Sequence, residues 1–328
     1  MVATAGLSLD QAPPIHLPLR LFLTAPWLAA GAGLILAWDG EAIMASRWTP
    51  AALAVTHLLA IGFTGQVMCG ALLQLLPVIA GRRVPGVGPI ATATHGLLTL
   101  GSLLMALGLL GLGKPLLGVG AGAASLGFAV FLSGAAVALA RAQGPAPSRL
   151  ALRLAALALS LTFSLGLLLT ATLMGWLHLP RFPDWVQVLV FWGVLGWVGL
   201  LIVGVAYLVV PLFYVTPVYP GWMTPVLVPG LFLSITAATW LVATGPVAWA
   251  AGPYALVALG FAAFSLWTIR LQVKRARPRL DATLVHWWLA LGSALAAALA
   301  WWLQAPAELL GVLLLVGVGV GLPSGMLL

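Results

Sequence analysis

The sequence predicts an all-α fold: a polytopic transmembrane helical bundle of about 10 spans, forming a single integral membrane domain over residues 1–328. Three observations predict it. Hydrophobic residues make up 62% of the chain and charged residues 6%, and mean hydropathy is +1.14. Soluble domains carry roughly a quarter charged residues, so this chain cannot clothe a water-facing surface of 34.0 kDa. Apolar runs near the roughly 20 residues that cross a bilayer recur between charged or Pro/Gly breaks. No period-2 alternation runs through them, which argues for helices over a closed barrel. A soluble enzyme, a disordered protein and a collagen-like chain are excluded. The single cysteine, Cys69, excludes an intrachain disulfide or cysteine cluster.

The spans follow in order. Leu19–Trp38 comes after a short N-terminal segment, residues 1–18, read as cytoplasmic. Ala51–Ile79 opens after Thr49-Pro50 and stops before Arg82-Arg83. Pro89–Gly113 and Pro115–Ala140 meet at Lys114, and Arg141 closes the second of them. Leu150–His178 follows the Pro-rich stretch before Arg149. Trp185–Phe213 begins after Pro183-Asp184. Thr224–Thr244 and Gly252–Leu271 are divided only by Gly245-Pro246 and Gly252-Pro253. The basic link Arg270–Asp281 precedes Thr283–Leu303, and Pro306–Leu328 is the last. No loop is long enough for a soluble domain. No short apolar region with a cleavage site precedes the first span, which is therefore expected to act as an uncleaved insertion signal. The apolar ending fits a short last helix and a truncated reading frame equally.

Orientation follows from the basic residues. With the N-terminus inside, Arg20, Arg82, Arg83, Arg141, Arg149, Arg153, Arg270, Lys274, Arg275, Arg277 and Arg279 fall on the inner side. Arg47, Lys114 and Arg181 fall outside, with Asp39, Glu41, Asp184 and Glu308. The asymmetry predicts N-in/C-in topology. The net charge of +8 then reads as topology, and the partner is the lipid bilayer and not nucleic acid.

An ionisable side chain within a span is costly and marks a candidate site. The candidates are His57, His95, His178 and His286. Glu308 lies near an outer end, and His16 precedes the first span. No carboxylate occupies a span centre, which weakens proton-coupled transport. Neutral imidazole is cheaper to bury and is a common metal ligand, which tilts the chemistry toward metal or haem. His57 lies about six residues, ~9 Å, below the outer end of its span, and His178 closes the fifth span near the outer surface. His95 and His286 fall in the inner leaflet. Bland readings stand beside the ligand reading: a carbonyl of a neighbouring helix as partner for His57, a weaker ligand case for His95 in Thr94-His95-Gly96, an interfacial position for His178, and an aromatic belt with Trp287 and Trp288 for His286. Met68 and Cys69 are soft ligands in principle, but packing is the expected role and no copper site is predicted. Gln66, Gln74 and Tyr207 read as hydrogen-bonding glue between helices. Gly62, Gly65 and Gly70 admit either a neighbouring helix or a flat ligand. At helical spacing, His57, Gly65 and Met68 share one face.

The second span reads THLLAIGFTGQVMCGALLQLLPVIAG from Thr56 to Gly81, and the sixth GWVGLLIVGVAYLVVPLFYVTPVYP from Gly196 to Pro220. Both run from glycine through a polar or aromatic residue and an apolar stretch to a proline. This echo resembles the catalytic subunit of haem–copper oxidases, in particular its C-type, nitric-oxide-reductase and NnrS-like branches, over residues 50–220. The resemblance implies a haem held by a histidine near the outer end of the second helix, where His57 stands, making His57 the expected metal ligand. It also implies a copper site with a histidine in the sixth helix, a His-His pair in the seventh and a His-x-His in the tenth. The sixth, seventh and tenth spans here contain no histidine. The usual second haem ligand from the tenth helix is missing as well. Oxidase or nitric oxide reductase activity by this chain alone is therefore not expected.

The reading that results is a haem-binding, multi-pass protein of the inner (cytoplasmic) membrane. Its expected role is respiratory electron transfer or a response to nitric oxide or oxygen, with other respiratory or membrane subunits as partners. A small-molecule permease and a non-catalytic membrane subunit are the alternatives.

Overall fold

The computed structural model describes residues 13–80, 84–142, 145–276 and 279–327, without the side chains of 78–80. Arg82, Arg83 and Arg277, Leu328 and residues 1–12 of the N-terminal segment lie outside the described residues. Every regular element described is helical. Ten helices are long and apolar enough to cross a membrane: α1 (His16–Ala45), α2 (Pro50–Pro77), α3 (Val87–Leu112), α4 (Lys114–Ala140), α5 (Ala146–Leu173), α6 (Phe182–Tyr214), α7 (Met223–Thr244), α8 (Val247–Val273), α9 (Ala282–Trp302) and α10 (Ala307–Met326). The protein is a polytopic membrane bundle. Its described residues form two compact units, one within Gly6–Gln143 and Phe163–Pro180, the other within Gly144–Thr162 and Arg181–Leu328.

The helix ends follow from local chemistry. Thr49 caps α2 by accepting the Ala52 amide at 3.2 Å, with Pro50 in the first turn. Asp281 caps α9 by accepting from Leu284 at 2.8 Å. Asp184 and Glu308 occupy the first turns of α6 and α10, where the helix dipole favours a carboxylate. Three of the six acids thus lie at helix starts for a definite reason, and α7 and α8 divide at Gly245 as predicted. The fifth span ends earlier than predicted. Gly175 at φ +80 lets the Trp176 amide reach the Ala171 carbonyl and the Gly175 amide reach Thr172, at 2.9 and 3.0 Å. That is a Schellman stop, and it leaves His178 in the link beyond the helix.

The larger departure from the predicted regular helices is π geometry. Residues Leu58–Gly65 of α2, Phe191–Gly199 of α6 and Val312–Val320 of α10 are π-helical, with a shorter stretch at Gly108–Leu112 of α3. These runs exceed the single-turn bulges usual for π structure. The three long ones recur every fourth span. Gly62, Gly65, Gly70 and Pro77 of α2 are matched at identical spacing by Gly196, Gly199, Gly204 and Pro211 of α6, and Gly317 and Gly325 of α10 repeat the first and third glycines.

The packing repeats as well. A side chain at Gly65 would meet the Phe128 ring of α4 at 3.0 Å, and one at Gly199 would meet the Phe261 ring of α8 at 2.5 Å. Positions Gly70, Gly204 and Gly325 face Phe22 of α1, Ala151 of α5 and His286 of α9, the preceding span each time. In each unit the most buried span, α2 or α6, is therefore an inner helix whose missing side chains seat its neighbours. Close approach through small residues is how helices associate when lipid offers no hydrophobic gradient between them. The same device joins α3 to α4, where a Cβ on Gly101, Gly108 or Gly120 would collide with backbone atoms of the facing helix.

Gly120→Ala is expected to destabilise the protein by about 1–3 kcal/mol because the obstacle is backbone. Gly122→Ala on the same helix meets nothing within 4 Å and should be neutral or raise stability by roughly 0.5 kcal/mol, both read from thermal midpoints in detergent. Arg181 donates to the Val242, Ala243 and Gly245 carbonyls at the C-terminal end of α7. Arg181→Ala should cost about 0.3–1 kcal/mol in the same assay, an effect shrinking with added salt.

Candidate functional site

His57 is the last residue of the α-helical start of α2, immediately before its π segment. Its side chain is half-buried, and Nδ1 lies 2.8 Å from the Leu53 carbonyl one turn back. A carbonyl can only accept, so Nδ1 carries the proton and donates. In a neutral ring Nε2 then keeps its lone pair. Such an arrangement fixes tautomer and ring orientation, the usual preparation of an imidazole that binds metal through its other nitrogen. Beside it, Thr56 donates to Ala52 at 2.8 Å. The surroundings are apolar: Ala54 and Leu58 pack with Leu28, Ala32 and Ala106.

The glycine face of α2 does not provide a seat for a flat ligand. Gly62 is covered by Leu28 and Ser102, Gly65 by Phe128 and Gly70 by Phe22. Of the two roles open to these glycines, helix packing is the one they serve. The shared face of His57, Gly65 and Met68 also changes, because the eight-residue π segment turns less per residue than the α-helix that spacing assumed. Met68 and Cys69 are buried within the bundle.

The other histidines are dispersed. His95, in the first half of α3, places Nε2 2.8 Å from the Thr24 hydroxyl of α1, and Arg20 reaches Thr92 one turn away at 3.3 Å. The α-helical start of α2 lies beside the far end of α3, so His57 and His95 sit toward opposite ends of adjoining antiparallel helices. His178 lies in the link after α5, and the Schellman stop corrects its expected place within the span. His286 of α9 donates from Nδ1 to the Gly321 carbonyl of α10 at 2.8 Å, joining two spans. Among the described residues no three His, Cys, Asp or Glu side chains converge on one point.

The polar glue is partly as expected. Gln66 is fully buried and donates to Thr99 at 3.3 Å, but its Oε1 has no partner among the described residues. Tyr207 does not bond a neighbouring helix: its hydroxyl is buried with no partner among the described residues. Its ring meets Tyr219 edge-on at 5.0 Å between centroids. Tyr219 was not legible as a site residue. It sits between Pro217 and Pro220 in the link after α6, yet is 5% exposed. Thr268 spends its proton on the Phe264 carbonyl at 2.8 Å. The Tyr219 hydroxyl therefore donates to Thr268 at 2.9 Å. The only signal in the sequence was an aromatic residue flanked by prolines.

A comparison with protein families and with curated proteins gives no match.

Burial pushes the Tyr219 phenol above its ordinary value. A raised phenol in the folded state keeps its proton after the unfolded chain, near pH 10, has released its own. The associated stability is complete below about pH 10 and is lost as pH rises from there. Tyr219→Phe should lower the midpoint at pH 8 by roughly 1 kcal/mol through the lost hydrogen bond, and its decline between pH 9 and 11.5 should be shallower than the wild type's.

Proposed function

We propose that this chain is a haem-binding protein of the inner (cytoplasmic) membrane, oriented N-in/C-in, with His57 as the residue that holds the iron. Its role is respiratory electron transfer or a response to nitric oxide or oxygen, alongside other respiratory membrane subunits. The observation that carries the reading is the Nδ1–Leu53 bond, which occupies Nδ1 of a membrane-embedded imidazole and leaves Nε2 as the nitrogen able to bind a metal. The residues fit one ligand to a haem, approached from the half-exposed side of His57 and not across the packed glycine face. A second support is architectural. Of the four helices where the haem–copper oxidase family places its haem and copper ligands, the second, sixth and tenth carry long π segments here and the seventh does not, and π segments recur at functional positions.

A haem bound there would supply an iron centre able to exchange an electron or take a diatomic gas. The chain's own contribution is to hold the ring. The Leu53 carbonyl sets the tautomer and makes Nε2 a better donor. Ala54, Leu58 and their neighbours keep the surroundings dry. The spans that hold copper ligands in the family have no histidine in this chain, so the proposal does not extend to oxygen or nitric oxide reduction.

The test is a reduced-minus-oxidised absorption spectrum of the detergent-purified protein, expressed with haem supplied. A Soret band is expected in the wild type and should be lost in His57→Ala, with the thermal midpoint retained within about 1 kcal/mol, as for a half-exposed residue. No band in the wild type, or a band indifferent to His57→Ala, overturns the reading.

A further inference from the structure

A cavity of about 200 Å³ lies where the start of α5, the second half of α6, the link after α6 and the start of α7 meet, lined by Pro145, Pro147, Ser148, Tyr207, Tyr219 and Thr224, with Val218 at its edge. All of these belong to one unit. An apolar cavity of ~150 Å³ takes a benzene ring, so this one has room for a single substituted ring and not for a macrocycle. Its walls suit a flat guest. Tyr207 and Tyr219 present rings inclined at 66°, Tyr219 stacks on Phe264 behind it at 6.2 Å, and two prolines add flat apolar surface. No charged side chain lines it, which selects a neutral guest.

The polar groups specify the guest further. The buried Tyr207 hydroxyl is a donor with no acceptor among the described residues, a cost that a bound acceptor would remove. Ser148 and Thr224 add hydroxyls to the lining. The site is also built at some expense. Val215, where α6 ends, holds φ +51 and ψ +53, a left-handed conformation that is unusual for a β-branched residue. Its carbonyl accepts the Ala276 amide at 3.0 Å, which ties the link to the end of α8. That turn returns Tyr219 to the interior, and backbone held this way clusters at ligand sites.

We propose that this cavity is a head-group site for a neutral, single-ring, membrane-soluble quinone, with the Tyr207 hydroxyl donating to a ring carbonyl. The site is independent of His57, and it is assayed without haem.

The test is titration of the full-length detergent-purified protein with decylubiquinone, followed by tryptophan fluorescence. Saturable quenching is expected in the wild type. Tyr207→Phe should weaken it about fivefold, the worth of one hydrogen bond. Val218→Trp, at a position 74% exposed and therefore tolerant of bulk in the fold, should weaken it more than about tenfold by narrowing the mouth. Duroquinone, which has no tail, should compete, placing recognition in the ring. Absence of saturable binding, or binding unchanged by both variants, overturns the proposal. Displacement by decanol, with duroquinone ineffective, also overturns it and shows a cavity that takes an alkyl chain.

Discussion

The bundle depends on side chains that are not there. At Gly65 and Gly199 a phenyl ring from α4 or α8 occupies the volume a Cβ would need. In a bilayer, burying an apolar residue against another helix gains little over burying it in lipid, so contact must come from dispersion at close range. The glycines supply that range. At Gly65 a Cβ would also lie 3.2 Å from the Ala60 carbonyl five residues earlier, so there the π turn itself favours a residue without one.

Many hydroxyls and two of the histidines within the spans share one economy: they donate to carbonyls of the backbone. Thr162, Thr239, Ser265 and Thr268 each bond the carbonyl one turn earlier. His57 does the same within its helix, and His286 does so across to α10. Both rings therefore carry a proton on Nδ1 and are held in one orientation by a backbone carbonyl. The difference between them is packing: a side chain on Gly325 would collide with His286, so that ring is pressed into a helix joint, whereas His57 retains an open side. That contrast, more than burial alone, separates a candidate ligand from a structural histidine.

The fold was legible because hydropathy is a bulk property. Ten apolar runs became ten helices, and even the uncharged division at Gly245 fell where Gly and Pro put it. The errors were local. The sequence puts His178 at the last position of the fifth span because apolarity continues past Leu173, whereas the stop is stereochemical and set by Gly175. The π segments were invisible, since no residue type specifies them and their glycines read equally well as ordinary packing. For the site, the cost of burying imidazole marks four histidines and only the resemblance sets His57 apart; a carbonyl partner is expected for it on a neighbouring helix, and the one it bonds is Leu53 of its own, because backbone acceptors carry no sequence signature. The Tyr207–Tyr219 cavity has no signature in the sequence because it depends on a link folding inward, and nothing in TPVYPGW distinguishes that from a link facing water.

The recurring four-span plan gives His57 a counterpart. At the same register in α6 stands Phe191, whose ring lies 3.9 Å from that of Tyr254. Two equivalent registers thus diverge in one respect. In α2 a basic nitrogen stands among hydrocarbon, whereas in α6 two aromatic rings close the same space with carbon and leave nothing there to protonate or to bind.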